Sequence, residues 1–130
     1  MTSYVTDTHT LYWYLTASPN LGAEAKAAFD EGLHSNALIY IPAIVIAELY
    51  YLNKKQGSPM DIAAIIARLQ QSAQFVLLPF EATDVLEFDA NNAVPEMHDR
   101  MIAGVAKRLN IPCLTCDKQI VGSGLVKVVW

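Results

Sequence analysis

Short apolar runs alternate along the chain with longer segments that have helical periodicity. Five of these runs are too apolar for half-exposed strands and fit strands buried in a parallel sheet, at residues 4–6, 38–41, 75–78, 113–115 and 126–129. Five longer segments carry the periodicity and end signals of helices, at residues 22–31, 43–55, 60–72, 83–91 and 99–109. The alternation predicts an α/β fold over residues 1–130, as a single domain with a mainly parallel central sheet.

The composition supports a folded domain with no basic face. Hydrophobic residues make up 53% of the 130 residues, enough apolar surface for a core without disulfide staples. Lys and Arg number 9 against 13 Asp and Glu, which gives a formal net charge of −4. The chain therefore cannot hold nucleic acid by charge alone. If it handles a polyanion, another group must supply the positive charge.

The chain shows no signal for export, for a membrane or for zinc. Its first fifteen residues contain no Lys or Arg, and Asp7 precedes any long apolar run, so we expect no secretory signal and a cytoplasmic location. The longest apolar stretch, residues 41–47, is far below the ~18 residues of a membrane span, so we expect no membrane association. Cys113 and Cys116 have no second Cys or His pair nearby, which gives zinc or redox chemistry little support.

Acidic residues lie where an open α/β sheet binds its ligand. Asp7 comes directly after the first predicted strand, and Asp117 lies two residues beyond the fourth. Glu48 and Asp99 lie in predicted helices that can lean over the same edge. Ligands of such sheets bind in the crevice beyond the carboxyl ends of the strands. No Gly-rich turn follows any predicted strand, so a nucleotide cofactor is not indicated.

Each of these acids also has a purely structural explanation. Glu48 is the one charge in the apolar segment 43–52. Its structural explanation is a solvated Glu on a mostly hidden helix, and the alternative is a buried charge that is paired or bound to metal. Asp7 can cap the segment after it, Asp99 can complement a helix dipole, and Asp117 can belong to a turn. As a set, however, four acids near one edge repel each other unless a cation lies among them. An all-oxygen cluster selects a hard ion such as Mg²⁺ or Mn²⁺.

The remaining polar and aromatic residues permit more than one interpretation. His9 and His98 flank acids without metal-ligand spacing, so we interpret them as ordinary polar residues. The aromatic residues 12–14 fit either the core or a protein interface. Four basic residues close to the acids either hold flanking phosphates or are solvated charges: Arg100, Lys107, Arg108 and Lys118.

Four blocks of sequence, in order, carry a resemblance that runs nearly end to end. They are residues 5–13 (VTDTHTLYW), 42–49 (PAIVIAEL), 99–106 (DRMIAGVA) and 111–117 (IPCLTCD). In these blocks the chain resembles the PIN domain, and specifically the VapC-like ribonuclease toxins of bacterial type II toxin-antitoxin modules. One block alone would be a weak signal, whereas four in the family's order make a fairly specific match.

The resemblance implies a three-layer α/β/α sandwich and a metal-dependent endoribonuclease that cleaves RNA phosphodiester bonds. It maps the family's catalytic and metal-binding acids onto Asp7, Glu48, Asp99 and Asp117, with one or two Mg²⁺ or Mn²⁺ ions as cofactor. It also implies an RNA substrate, a cognate antitoxin and a homodimer. Arg100 and Lys118 are the basic residues that we expect to contact substrate phosphate.

Two further residues are assigned through the resemblance, and two positions depart from it. Thr115 matches a hydroxyl beside the last acid, where it contacts either the metal ligands or a metal-bound water. Glu96 stands where relatives often have Asp, and it is either a fifth acid at the rim or a helix-start residue. His98 stands where many relatives have a small or apolar residue.

Two other functions compete with the nuclease. A catalytically silent PIN-like module that binds RNA or protein would not need all four acids, so their joint presence favours the enzyme. An acid-pocket phosphatase is disfavoured, because the chain lacks a second acid two residues after Asp7.

Overall fold

Five parallel strands form the central sheet of the computed structural model, which describes all 130 residues. They are β1 (Thr2–Thr6), β2 (Ala37–Pro42), β3 (Phe75–Leu78), β4 (Cys113–Leu114) and β5 (Val128–Val129). Their order across the sheet is β3-β2-β1-β4-β5. The order of the strands reverses at β1, which pairs with β2 on one side and β4 on the other. A crevice therefore opens beyond the carboxyl ends of β1 and β4.

Six α-helices flank the sheet and complete the predicted three-layer α/β/α sandwich. They are α1 (Thr8–Leu15), α2 (Ala23–Leu33), α3 (Ala43–Lys55), α4 (Ile62–Gln71), α5 (Met97–Leu109) and α6 (Lys118–Ser123). The sequence pattern predicted the bounds of α3 and placed α2, α4 and α5 within two residues at each end. No helix combines the length and the apolar character that a membrane crossing needs.

Three segments differ from the predicted helices. Residues 83–91, predicted as a helix, form a short 3₁₀ helix at Ala82–Glu87, with a capping box between Glu81 and Asp84. None of its residues is buried, so no packing extends it into a longer α-helix. Helices α1 and α6 were not among the predicted helices, because eight and six residues are too few for a clear periodic signal.

The main core lies around the strands that carry the predicted acids. A cluster of fifteen buried residues includes Val5 of β1, Leu114 of β4 and Ile102 of α5. Phe29 of α2 belongs to this cluster and stacks on Tyr14 with ring centroids 4.1 Å apart. Burial of these side chains holds β1, β4 and α5 in place, so the residues at their ends are held on a packed framework.

Candidate active site

A cavity of about 530 Å³ lies beyond the carboxyl ends of β1 and β4. Eleven residues line it, and five of them are acids: Asp7, Glu48, Glu96, Asp99 and Asp117. The cavity thus collects the four acids of the predicted catalytic set together with Glu96. No Lys or Arg lines its wall. The structure therefore brings the acids together without placing a Lys or Arg among them.

Asp7 both caps helix α1 and lines this cavity. It follows β1 directly, and one carboxylate oxygen accepts a hydrogen bond of 2.9 Å from the backbone N–H of Thr10 in the first turn of α1. Its other oxygen accepts a hydrogen bond from the hydroxyl of Thr115. Burial raises the pKa of Asp7, although these hydrogen bonds act in the opposite direction. The capping and ligand interpretations of this residue are therefore compatible.

Thr115 connects the acids at the ends of two neighbouring strands. Its hydroxyl donates to Asp7 after β1 and accepts a hydrogen bond of 2.9 Å from the backbone N–H of Asp117 after β4. Asp117 in turn caps α6, with Oδ1 accepting from the N–H groups of Gln119 and Ile120 at 3.0 and 3.1 Å. Thr115 thus fixes the relative positions of Asp7 and Asp117.

Glu48 has polar partners although it lies on an apolar helix. The hydroxyl of Thr8, the first residue of α1, donates to Oε1 of Glu48 at 2.7 Å. Nδ1 of His98, on α5, lies 3.7 Å from its other carboxylate oxygen. Helices α1 and α5 therefore supply the groups that orient this carboxylate. This pairing accounts for the single charge in the apolar segment 43–52.

Glu96 is a helix-start residue that also lines the cavity. Its carboxylate caps α5 by accepting a 2.7 Å hydrogen bond from the N–H of Asp99, and Nδ1 of His98 lies 2.7 Å from its other oxygen. Burial acts to raise the pKa of Glu96, but the hydrogen bonds from Asp99 and His98 and the charge of His98 outweigh it and lower the pKa. Glu96 therefore stays ionised beside the other acids.

The raised pKa of Asp99 reflects the closeness of the acids in the cavity. Its pKa is raised from an ordinary value of 3.8 to about 7. Burial is the largest cause, and the charges of the other acids follow, in the order Asp117, Glu96, Glu48 and Asp7. Such mutual repulsion at a cleft is typical of functional sites. Near neutral pH the five carboxyl groups of the cavity therefore carry fewer than five negative charges.

The donor chemistry of the cavity fits a hard divalent cation. Carboxylate oxygens are the ligands that Mg²⁺ and Mn²⁺ prefer. No three Asp, Glu, His or Cys side chains come together as a group that could hold a metal ion. Magnesium, however, usually binds through one or two carboxylates and keeps several waters. The residues present therefore fit an ion that completes its coordination with water.

The predicted phosphate-binding residues lie outside the cavity wall. The guanidinium of Arg100 donates to the backbone carbonyls of Val94, Phe88 and Pro95, at 2.7, 3.3 and 3.4 Å. These contacts hold the loop before α5 and do not support the phosphate-binding role predicted for Arg100. Lys118 is exposed at the start of α6, next to Asp117, and its role stays a prediction.

The cavity also contains residues that the sequence pattern did not assign to it. Thr8, His9 and Trp13 of α1 line its wall, as do Leu52 and Cys116. The sequence alone indicates an ordinary polar residue at His9 and a core or interface residue at Trp13. The available signal was their position in the turns after Asp7, because helical spacing places residues 9 and 13 on one face.

The fold and this acid-lined cleft define a class of protein, and the sequence identifies the family. The family model of the PIN domain matches residues 4–121. Because the match covers most of the chain, the protein belongs to the PIN domain family. This confirms the family to which the four sequence blocks pointed. Among curated proteins no relative matches the chain.

Solved structures share the fold at low sequence identity. VapC20 from Mycobacterium tuberculosis, described as a sarcin-ricin loop cleaving toxin, has a TM-score of 0.72 and 16% identity over 98% of this chain and 99% of that chain. VapBC2 from Rickettsia felis, bound to a DNA fragment from its promoter, has a TM-score of 0.71 and 16% identity over 97% and 96%. FitAcB from Neisseria gonorrhoeae has a TM-score of 0.65 and 20% identity over 96% and 95%. At these identities the likeness shows the common fold.

Proposed function

We propose that the protein is a metal-dependent endoribonuclease that cleaves RNA phosphodiester bonds. The observation that carries the proposal is the single cavity into which the fold brings Asp7, Glu48, Asp99 and Asp117. Membership of the PIN domain family supports it. The similar fold of VapC20, which is described as a sarcin-ricin loop cleaving toxin, is consistent with it.

Each acid has a role that follows from its position. Asp7, Asp99 and Asp117 would hold one or two Mg²⁺ or Mn²⁺ ions, directly or through water. A bound ion supplies positive charge beside the scissile phosphate and lowers the pKa of a coordinated water. Glu48, oriented by Thr8 and His98, would bind metal or orient the attacking water. Thr115 keeps Asp7 and Asp117 aligned during the reaction.

The proposal is tested by cleavage and metal binding in parallel. We expect purified protein to cut ribosomal RNA with Mn²⁺ or Mg²⁺, to lose this activity in chelator and to regain it when excess metal is restored. Calorimetric titration with Mn²⁺ should show saturable binding without RNA. Cleavage that persists in chelator would contradict the metal dependence. Folded protein that binds RNA but cuts none of it would favour the catalytically silent binding module instead.

We further propose that the protein is the toxin of a type II toxin-antitoxin pair and forms a homodimer in the cytoplasm. The likeness to VapC20, which is described as a toxin, supports this assignment. Exposed apolar side chains supply surface for protein partners, since Leu86 is 81% and Tyr51 72% exposed. Sedimentation at micromolar concentration should show a dimer. Monomer alone at that concentration would contradict the homodimer.

A further inference from the structure

One wall of the acid cavity is aromatic. His9 and Trp13 lie one helical turn apart on α1, and both line the cavity. Their ring centroids are 5.6 Å apart, with the planes tilted by 56°. His9 is exposed, so this aromatic pair is open to a molecule that enters the cavity. None of the roles proposed above for the acids uses these two rings.

Trp13 is not part of the hydrophobic core, unlike its neighbours in the chain. Tyr12, Tyr14 and Leu15 pack against the main core cluster, whereas Trp13 packs against neither core cluster. Core packing therefore does not explain a large aromatic side chain at this position. The indole is partly buried and faces the acids instead.

The Trp13 ring is held in place by a second tryptophan. Trp130 meets it edge-on, with ring centroids 5.8 Å apart and an interplanar angle of 62°. The backbone carbonyl of Trp130 accepts a 3.1 Å hydrogen bond from the N–H of Glu24. Trp130 also lies so close to Gly22 that a Cβ there would come within 2.6 Å of its backbone. This packing pre-organises the Trp13 ring, which reduces the entropy lost when a ligand stacks on it.

The charge of the cavity decides what kind of contact RNA can make there. Five acids and no Lys or Arg line the wall, so a polyanion gains no attraction from the side chains. Stacking of a base on an aromatic ring does not depend on opposite charge. Among the lining residues, the large aromatic groups are His9 and Trp13. They are therefore the groups suited to bind the base portion of a nucleotide beside the acids.

Resting on the proposed function, we propose that His9 and Trp13 form a nucleobase-stacking surface for an unpaired base next to the scissile phosphate. A base must leave its helical stack before it can lie against a protein ring. The site therefore selects single-stranded or loop RNA over duplex. The acids act on the phosphate while the aromatic pair positions the nucleotide.

Binding of two matched oligonucleotides tests this inference without cleavage. The probes are a fluorescein-labelled oligouridine RNA and the same strand with abasic spacers in its central positions, measured by anisotropy in Ca²⁺ and in chelator. Wild type should bind the first more tightly. Trp13→Leu should raise Kd for the oligouridine by roughly tenfold and remove the difference between the probes. Phe80→Leu, at an exposed aromatic outside the cavity, should leave both Kd values unchanged.

A second measurement guards against misfolding of the Trp13 variant. The chain has 2 tryptophans, so Trp130→Phe leaves Trp13 as the single indole fluorophore. Its emission should be quenched by the oligouridine and not by the abasic strand. Equal quenching by both strands, an unchanged Kd in folded Trp13→Leu or no binding of either probe by wild type would each overturn the inference. If the protein binds the oligouridine more tightly than the abasic strand but cuts no RNA, the stacking surface is supported and the proposed nuclease function is contradicted.

Discussion

Asp7→Asn should lower the rate of RNA cleavage by about 10²-fold or more, because it removes a charge from the metal-binding set. The substitution leaves the fold intact, since an Asn side chain can keep the hydrogen bond from the N–H of Thr10 that caps α1. Single-turnover cleavage at saturating Mn²⁺ measures the effect on rate. Calorimetry on the same variant should show that saturable Mn²⁺ binding is lost as well.

Asp61→Asn is the matched control for this experiment. Asp61 also caps a helix, accepting a 3.2 Å hydrogen bond from the N–H of Ala64 at the start of α4, but it does not line the cavity. The control should cleave RNA and bind Mn²⁺ as wild type does. If Asp7→Asn kept the wild-type rate, Asp7 would be a helix cap alone and the proposed metal site would be wrong.

Asp99→Asn has the second large expected effect, a gain in stability of the metal-free protein above neutral pH. Asp99 has a folded-state pKa of about 7 against an ordinary 3.8, so the folded chain holds a proton that the unfolded chain releases. Its contribution to stability is therefore fully present below about pH 4 and is lost as pH rises through about 7. At pH 8 the Asn variant avoids the repulsion, and we expect ~1 kcal/mol of stabilisation after discounting for solvent screening.

Thermal melts in chelator at pH 5 and pH 8 check this result. The variant should melt a few degrees higher than wild type at pH 8 and by a clearly smaller margin at pH 5, where Asp99 is neutral in the folded chain but ionised in the unfolded chain. Asp89→Asn, which removes an exposed acid outside the cavity, should change neither melt appreciably. A lower melting temperature for Asp99→Asn at pH 8 would mean that the acids do not repel each other in the folded chain.

Local sequence patterns predicted only part of the candidate site. Parallel strands place their carboxyl ends at one edge, so the proximity of Asp7 and Asp117 followed from two short apolar runs. The partners of Glu48 did not, because Thr8 and His98 approach it from helices that are distant in sequence. The partners of Arg100 did not follow from the sequence either. Its guanidinium donates to backbone carbonyls of the segment before α5, and its phosphate-binding role stays a prediction.

The periodicity of the chain was sufficient for the α/β class, for most element bounds and for the proximity of the acids that follow β1 and β4. These features depend on side-chain spacing and on hydrogen bonds between residues close in sequence, so they can be predicted from the order of the residues. The link through Thr115 joins residues 108 positions apart, and the aromatic wall depends on packing between Trp13 and Trp130. Contacts of this kind form when strand order and helix packing bring distant segments together. No local sequence pattern predicts these long-range contacts, yet they determine which side chains line the cavity together.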